Sequence, residues 1–256
     1  LGVPPAAGGS YQPTNVGQSG TATLVKGTVS DPGSLASGVL RVQIRLSYLL
    51  SGDTYYWDGT QFSSSTVNAT TAWQNVNNPP GSWTYPVDIS WPTDQSHAMK
   101  LEARAEDKAR ASDGTASGNV TSVGSYALTN FNLDRVNPSG MITSPVSGSQ
   151  LSSLASVSGT ASDDLAGVSA LDIEVSSGIG SPSYYNGTDW TTTPAWNSVT
   201  VSGSWSYGMP SLLGGKNYYL RLRVTDAAGN TYTTSHSTFT LDTTNPSVTI
   251  TTPVAS

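Results

Sequence analysis

Two histidines are the first residues to test for catalysis. A hydrolase needs a nucleophile, a base and a group that orients the base, all within reach of one another. His97 lies in Asp94-Gln95-Ser96-His97 and His236 in Ser235-His236-Ser237. The two occupy unmatched positions in the chain's repeat pattern, and no Gly-x-Ser-x-Gly elbow is present. Serine is so common that its nearness to a histidine carries no information, so both are read as surface or loop residues. Cysteine is absent, which removes thiol chemistry, Cys-ligated zinc and disulfide stapling.

Carboxylates and aromatic rings remain. Glu106-Asp107 and Asp163-Asp164 are adjacent acidic pairs, and Asp134 and Asp242 are further acids at what will emerge as joints. Calcium takes six to eight oxygen ligands, several of them carboxylates and carbonyls. Asp134 with Asp163 and Asp164 is therefore the candidate calcium set. The plainer alternative is that Asp163 and Asp226 bond to nearby backbone N–H groups in turns. Tyr55, Tyr56 and Trp57, with Tyr184, Tyr185 and Trp190, cluster around two hairpins and are candidate ligand-facing aromatics for a glycan or a protein surface. Packing against a core or a hairpin is the competing use of the same rings. Asn68, Asn119 and Asn186 fit the glycosylation sequon, as chance allows in so Ser/Thr-rich a chain.

Composition narrows the function classes. The 256 residues include 40 Ser, 32 Thr, 26 Gly and 15 Pro, and only 11% are charged, where about 25% is usual. Four Lys and seven Arg against 17 acids give a net charge of −6, which supplies no basic face for nucleic acid. No apolar run approaches the ~18 residues of a membrane span. Seven Trp and twelve Tyr argue against disorder. The chain begins at Leu1 with no visible signal peptide, so a processed product or an excerpt is expected.

An internal repeat organises the chain. Leu133-Asp134-Arg135-Val136-Asn137-Pro138, followed by Ile142-Thr143-Ser144-Pro145-Val146, returns 108 residues later as Leu241-Asp242-Thr243-Thr244-Asn245-Pro246 and Ile250-Thr251-Thr252-Pro253-Val254. Gly27-Thr28 matches Gly159-Thr160, Trp73 matches Trp196, and Gly81-Ser82-Trp83 matches Gly203-Ser204-Trp205. The matched pairs Trp73/Trp196 and Trp83/Trp205 are read as core residues that both copies need. A large insertion, Lys108 to Ser117, separates the copies in length. The expected organisation is a flexible lead-in at 1–9, a first domain at 10–136, a second at 137–245, and a leftover strand at 246–256.

Within each copy, strands alternate apolar and polar positions: Val42, Ile44, Leu46 and Leu101, Ala103, Ala105 in the first, Leu171, Ile173, Val175 and Leu220, Leu222, Val224 in the second. Period two marks antiparallel sheets with one face buried. Asp58-Gly59 and Asn186-Gly187 suit two-residue type I′ turns. Outward charges are complementary: Arg41 and Arg45 with Glu102 and Glu106 in copy one, Asp172 and Glu174 with Arg221 and Arg223 in copy two. Those strands are therefore expected to be neighbours, with register as the main benefit.

Val224-Thr225-Asp226-Ala227-Ala228-Gly229-Asn230 and Phe239-Thr240-Leu241-Asp242-Thr243-Thr244-Asn245-Pro246 resemble the tandem bacterial immunoglobulin-like repeats of large cell-surface proteins and adhesins. The resemblance covers copy two fully. Copy one departs from it at the insertion after Asp107 and at Arg135-Val136. It implies an all-β fold of two tandem immunoglobulin-like antiparallel β-sandwiches, an extracellular setting, a structural or adhesive role without catalysis, and calcium at domain joints. Partners are then copies of the chain or adjacent repeats, with a surface glycan or protein as a further option, and neither nucleic acid nor membrane insertion.

The tail repeats the strand that opens copy two, with Val248 and Ile250 alternating and Pro253-Val254 closing the segment. An isolated strand has no stability of its own. It either begins a further covalently linked domain or adds to an open edge on a neighbouring subunit, which would propagate head to tail. Copy one opens with Gly9-Ser10-Tyr11-Gln12-Pro13, a poor first strand that would leave such an edge.

Overall fold

The computed structural model describes residues 7–18, 25–77, 81–110, 118–178 and 181–251. The chain divides into two compact units. Unit 1 holds Leu1–Val136 with Asp164–Ala166 and Ala227–Asn230, and unit 2 holds the remainder. The described residues contain strands and one 3-10 turn, and no helix long and apolar enough to cross a membrane.

Unit 1 is built from β1 (Ser10–Tyr11), β2 (Lys26–Thr28), β3 (Val39–Leu50), β4 (Asp53–Trp57), β5 (Phe62–Ser63), β6 (Gln74–Asn75), β7 (Ser82–Thr84), β8 (His97–Asp107) and β9 (Ala127–Leu133). One sheet runs β1-β9-β8-β3-β4-β5 with β6 on β3, and β2 pairs β7 in the facing sheet. Unit 2 is built from β10 (Ser139–Ser144), β11 (Ser149–Leu151), β12 (Ser156–Ser162), β13 (Val168–Ser177), β14 (Ser183–Tyr185), β15 (Trp190–Thr191), β16 (Asn197–Val199), β17 (Ser204–Gly208), β18 (Lys216–Asp226), β19 (Thr231–Thr233) and β20 (Ser237–Leu241). Its large sheet runs β11-β20-β18-β13-β14-β15, with β16 on β13 and β19 on β18, and its second sheet runs β10-β12-β17. Both units are two-layer β-sandwiches, and the fold is all-β.

The alternation in the long strands decides which face is buried. Val42, Ile44 and Leu46 on β3 and Leu171, Ile173 and Val175 on β13 are enclosed. Charges on the opposite face meet their partners in register: Arg41 lies opposite Glu106, Arg45 opposite Glu102, Asp172 opposite Arg223 and Glu174 opposite Arg221. Both long pairings carry an irregularity at the same place, between Val39 and Arg41 and between Val168 and Ala170. The two units are thus copies down to the register of the central strands.

The second sheets repeat a close contact. Gly27 pairs with Trp83 and Gly159 with Trp205. A Cβ added at Gly27 would sit 2.5 Å from Cζ2 of Trp83, and one at Gly159 2.6 Å from Cζ2 of Trp205. Each indole lies against a glycine of the neighbouring strand, closer than a residue with a side chain would permit.

The turns differ from expectation. Asp58 and Asn186 do not open two-residue turns; each opens a four-residue loop. Asp58 N donates to Gln61 O at 2.9 Å and Asn186 N to Asp189 O at 3.0 Å. The side chains are the reason. Asp58 Oδ1 accepts from the N–H groups of Thr60 and Gln61, and Asn186 Oδ1 from those of Thr188 and Asp189. A side chain that replaces a backbone acceptor stabilises the longer loop. The two-residue turn is at Ser51-Gly52 between β3 and β4, where φ is 53° and 94°, both positive as a type I′ turn requires.

Candidate functional site

The histidines fall in different environments. His97 opens β8, is buried, packs its ring 4.1 Å from that of Tyr48 and bonds through Nε2 to Asp94 Oδ1 at 2.9 Å. The expectation of a surface residue is corrected here: the aromatic neighbour and the Asp94 partner together enclose the ring. Ser96 sends its Oγ to Asp134 Oδ1 at 2.8 Å, away from His97, so no nucleophile is joined to this Asp–His pair. His236 belongs to unit 2, is about half exposed, and lies 3.8 Å from Glu174 Oε1. Among the described residues, serine, base and orienting acid are not assembled at either histidine.

Asp94 is held below the ordinary aspartate pKa by its bond to His97. Asp58 is held down by the Gln61 N–H ahead of its other loop partners, and Asp107 by the Asn119 side chain. A depressed folded pKa contributes stability that is present above the unfolded value, near 3.8, and lost as pH falls through the folded value. All three groups lie in unit 1. Denaturant unfolding should therefore show the unit 1 transition weakening as pH is lowered from 4 while the unit 2 transition lags. Transitions that move together would refute the assignment.

The aromatic candidates are mostly occupied. Trp57 is 1% exposed, sits in the unit 1 core and donates its Nε1–H to Tyr85 Oη at 2.7 Å. It offers no surface to a ligand. Tyr55 stacks on Tyr48 at 5.1 Å. Tyr185 and Trp190 pack against the unit 2 core, Trp190 lying 5.9 Å from Tyr218. Tyr56 and Tyr184 are half-buried, and Tyr56 faces Arg45 at 5.8 Å.

Trp73 and Trp196 lie outside the two hydrophobic clusters, a different place from the one their repetition suggests, although Trp73 is itself buried. Each lies against arginines of its own sheet's outer face. Trp73 is 4.6 Å from the Arg45 guanidinium and 4.2 Å from that of Arg104, and Trp196 is 4.6 Å from that of Arg223 and 5.4 Å from that of Arg221. Arg45 also bonds Glu102 at 2.7 Å, and Arg221 grips Glu174 with two bonds of 3.1 and 2.7 Å. The ring faces and carboxylates fix the guanidiniums together. Spacing alone did not separate a ring that fills a core from one that covers a charge.

The calcium candidates divide between the units, Asp134 and Asp164 in unit 1 and Asp163 in unit 2. Asp134 is fully buried. Its Oδ1 accepts from Ser96 Oγ and from the Val136 N–H, and its Oδ2 is buried with no hydrogen-bond donor. Val248 and Ile250 of the tail are 93% and 90% exposed. Pro253 and Val254 lie outside the described residues.

Sandwiches of this kind, with an N-terminal edge strand parallel to the last and long central strands flanked by a facing sheet, are immunoglobulin-like. Residues 156–243 match the family model of the bacterial Ig-like domain, so unit 2 carries an immunoglobulin-like domain; the described residues of unit 1 repeat its strand order without counterparts of β10 and β19. Among solved structures, the chain is similar to the fibronectin(III)-like modules of Clostridium thermocellum CbhA, at 15% identity over 93% of this chain and 91% of that one, with a TM-score of 0.34. It is also similar to the FN1-FN3 domains of chicken CNTN1, at 12% identity over 94% and 68% of the two chains, with a TM-score of 0.32. No curated protein matches.

Proposed function

We propose that this chain is a non-catalytic, load-bearing repeat unit of an extracellular bacterial surface protein or filament. The observation that carries the reading is a parallel pairing, in each unit, of an N-terminal strand with the last strand. In unit 1 β1 runs parallel to β9, and in unit 2 β11 runs parallel to β20. The bonds include Asn132 N to Gly9 O at 2.7 Å, Asp134 N to Tyr11 O at 2.8 Å, Gly148 N to Thr238 O at 2.7 Å and Asp242 N to Leu151 O at 2.8 Å. When the two ends of a unit are pulled apart, the load reaches this pair at once in unit 1, and in unit 2 after β10, which precedes β11 and pairs β12 antiparallel, is drawn off; the parallel strands then slide past each other. Their hydrogen bonds are then loaded in shear and must fail together, whereas an antiparallel pair pulled from one end opens one bond at a time. Buried aromatics and paired charges support structure over glycan recognition.

Pulling the chain by its ends in single-molecule force spectroscopy tests this. Two separate rupture events are expected, releasing roughly 440 Å for unit 1 and roughly 330 Å for unit 2 at about 3.5 Å per extended residue, less the folded end-to-end distance. One event, or gradual extension without a peak, would sink a load-bearing role.

Asp134 supports a subsidiary reading, a calcium ion held at this acid. A buried carboxylate oxygen without a donor is costly, and a cation answers it. Asp164, which belongs to the same unit, is its companion acid. Calcium is expected to raise the melting temperature of the chain, and Asp134→Asn to abolish the rise. An equal rise in the variant would dismiss the site.

A further inference from the structure

We infer that the edge of β2 opposite β7 in unit 1 is an acceptor for the Ser247–Thr251 strand of a second copy of this chain. The inference rests on the structural-module reading, which the force experiment tests without involving this edge, so the two fail separately.

In unit 2, β12 is paired on both sides, by β17 and by β10. In unit 1, the equivalent strand β2 is paired by β7, and among the described residues nothing occupies its other edge. Beside that edge is a mainly apolar groove of about 380 Å³, lined by Gly27, Trp83, Leu101, Ala103 and Leu128 among others. The tail has the β10 pattern: Ser139-Gly140-Met141-Ile142-Thr143 becomes Ser247-Val248-Thr249-Ile250-Thr251. In unit 2, Ile142 packs against the core, while the same residue type in the tail, Ile250, is bare to solvent.

Side-chain size singles out this occupant. Gly140 lies against the sheet where a Cβ would fall 2.6 Å from Val224 Cγ2 and 2.8 Å from Leu222 Cδ2. The tail has Val248 in place of Gly140, which that site would refuse. Register gives the unit 1 counterparts of the two obstructing residues. Ile173 pairs with Leu222 and Leu171 with Val224, as Ile44 pairs with Ala103 and Val42 with Ala105. Unit 1 therefore has two alanines where unit 2 has leucine and valine, and the tail has a valine where β10 has glycine. The bulk has moved from the sheet to the strand. Transferring the β10–β12 register, in which Ile142 faces Gly159 and Met141 faces Thr160, places Ile250 opposite Gly27, Thr249 opposite Thr28 and Val248 inward over Ala103 and Ala105.

The test uses whole chains, which contain no native thiol. A Thr28→Cys chain and a Thr249→Cys chain are mixed at high concentration and oxidised slowly. The expected product is an interchain disulfide joining these positions, identified by mass spectrometry. Moving the second thiol to Ser247→Cys should cut its yield at least tenfold. Ala103→Leu with Ala105→Val fills the groove to the unit 2 pattern and should also cut linking at least tenfold, with melting temperature confirming that the variant folds. Adding Val248→Gly to the tail partner should restore it. No interchain link, as when the edge is closed by residues of its own chain, overturns the proposal. So does equal linking at Ser247→Cys or by the filled-groove chain.

Discussion

Arg221→Met is expected to destabilise unit 2 by about 3 kcal/mol, the lower end of the range for breaking a buried ion pair from one side. The lower end applies because the Arg221 side chain is 33% exposed, while that of Glu174 is 2% exposed. The loss comes from what is left behind. Glu174 sits opposite Arg221 in the central pairing and takes both of its bonds from the guanidinium. Without Arg221 its charge remains buried against the sheet, with His236, about half exposed, 3.8 Å away. Glu174→Met combined with Arg221→Met should recover most of the loss, since a pair of apolar side chains needs no counter-charge. Urea unfolding of the three variants measures this, and a double variant as unstable as the single one would show that the contact acts through packing instead.

Trp57→Ala should cost unit 1 about 3–5 kcal/mol, the usual range for deleting a fully buried large aromatic. Two losses combine. The ring contacts with neighbours such as Phe62, 5.3 Å away, disappear, and Tyr85 Oη loses its 2.7 Å donor inside the core. Trp57→Phe separates these, keeping a ring while removing the N–H, and should fall between wild type and alanine. Circular dichroism in urea reads the unit 1 transition, and a change below about 1 kcal/mol would contradict the assignment of Trp57 as a core anchor.

What the sequence conveyed well was whatever repeats with a period. Alternation located β3, β8, β13 and β18, and opposite charges on their outer faces identified them as neighbours, because ion pairs at matched outward positions leave a trace in both strands. The glycines beside Trp83 and Trp205 were visible as matched positions, although the reason for them, a ring lying against backbone, needed coordinates. Less was legible where one residue type serves two purposes. Trp73 and Trp196 recur as core residues do, yet they cover arginines. His97 reads as a loop residue from its neighbours and is enclosed by Tyr48, which is 49 positions away. The Asp58 and Asn186 loops were misjudged because a side-chain acceptor competes with the backbone turn. Ala103 and Ala105 fit the alternation as well as Leu222 and Val224 do; a pattern of apolar and polar positions does not record volume.

The inverted signs of the two central ladders bear on how neighbouring copies fold without entangling. Arg45 faces Glu102 in one unit, while at the same station of the other Glu174 faces Arg221. Two similar sandwiches on one chain are at constant risk of exchanging strands as they condense. An exchange that set β3 beside β18 would bring Arg45 against Arg221, and one that set β13 beside β8 would bring Glu174 against Glu102, both acids being buried in their proper homes. Like charges at these stations penalise the hybrid while each native sandwich keeps its attraction. Polarity reversal between adjacent copies thus acts as an address, allowing one architecture to be used twice in a row with each strand returning to its own sheet.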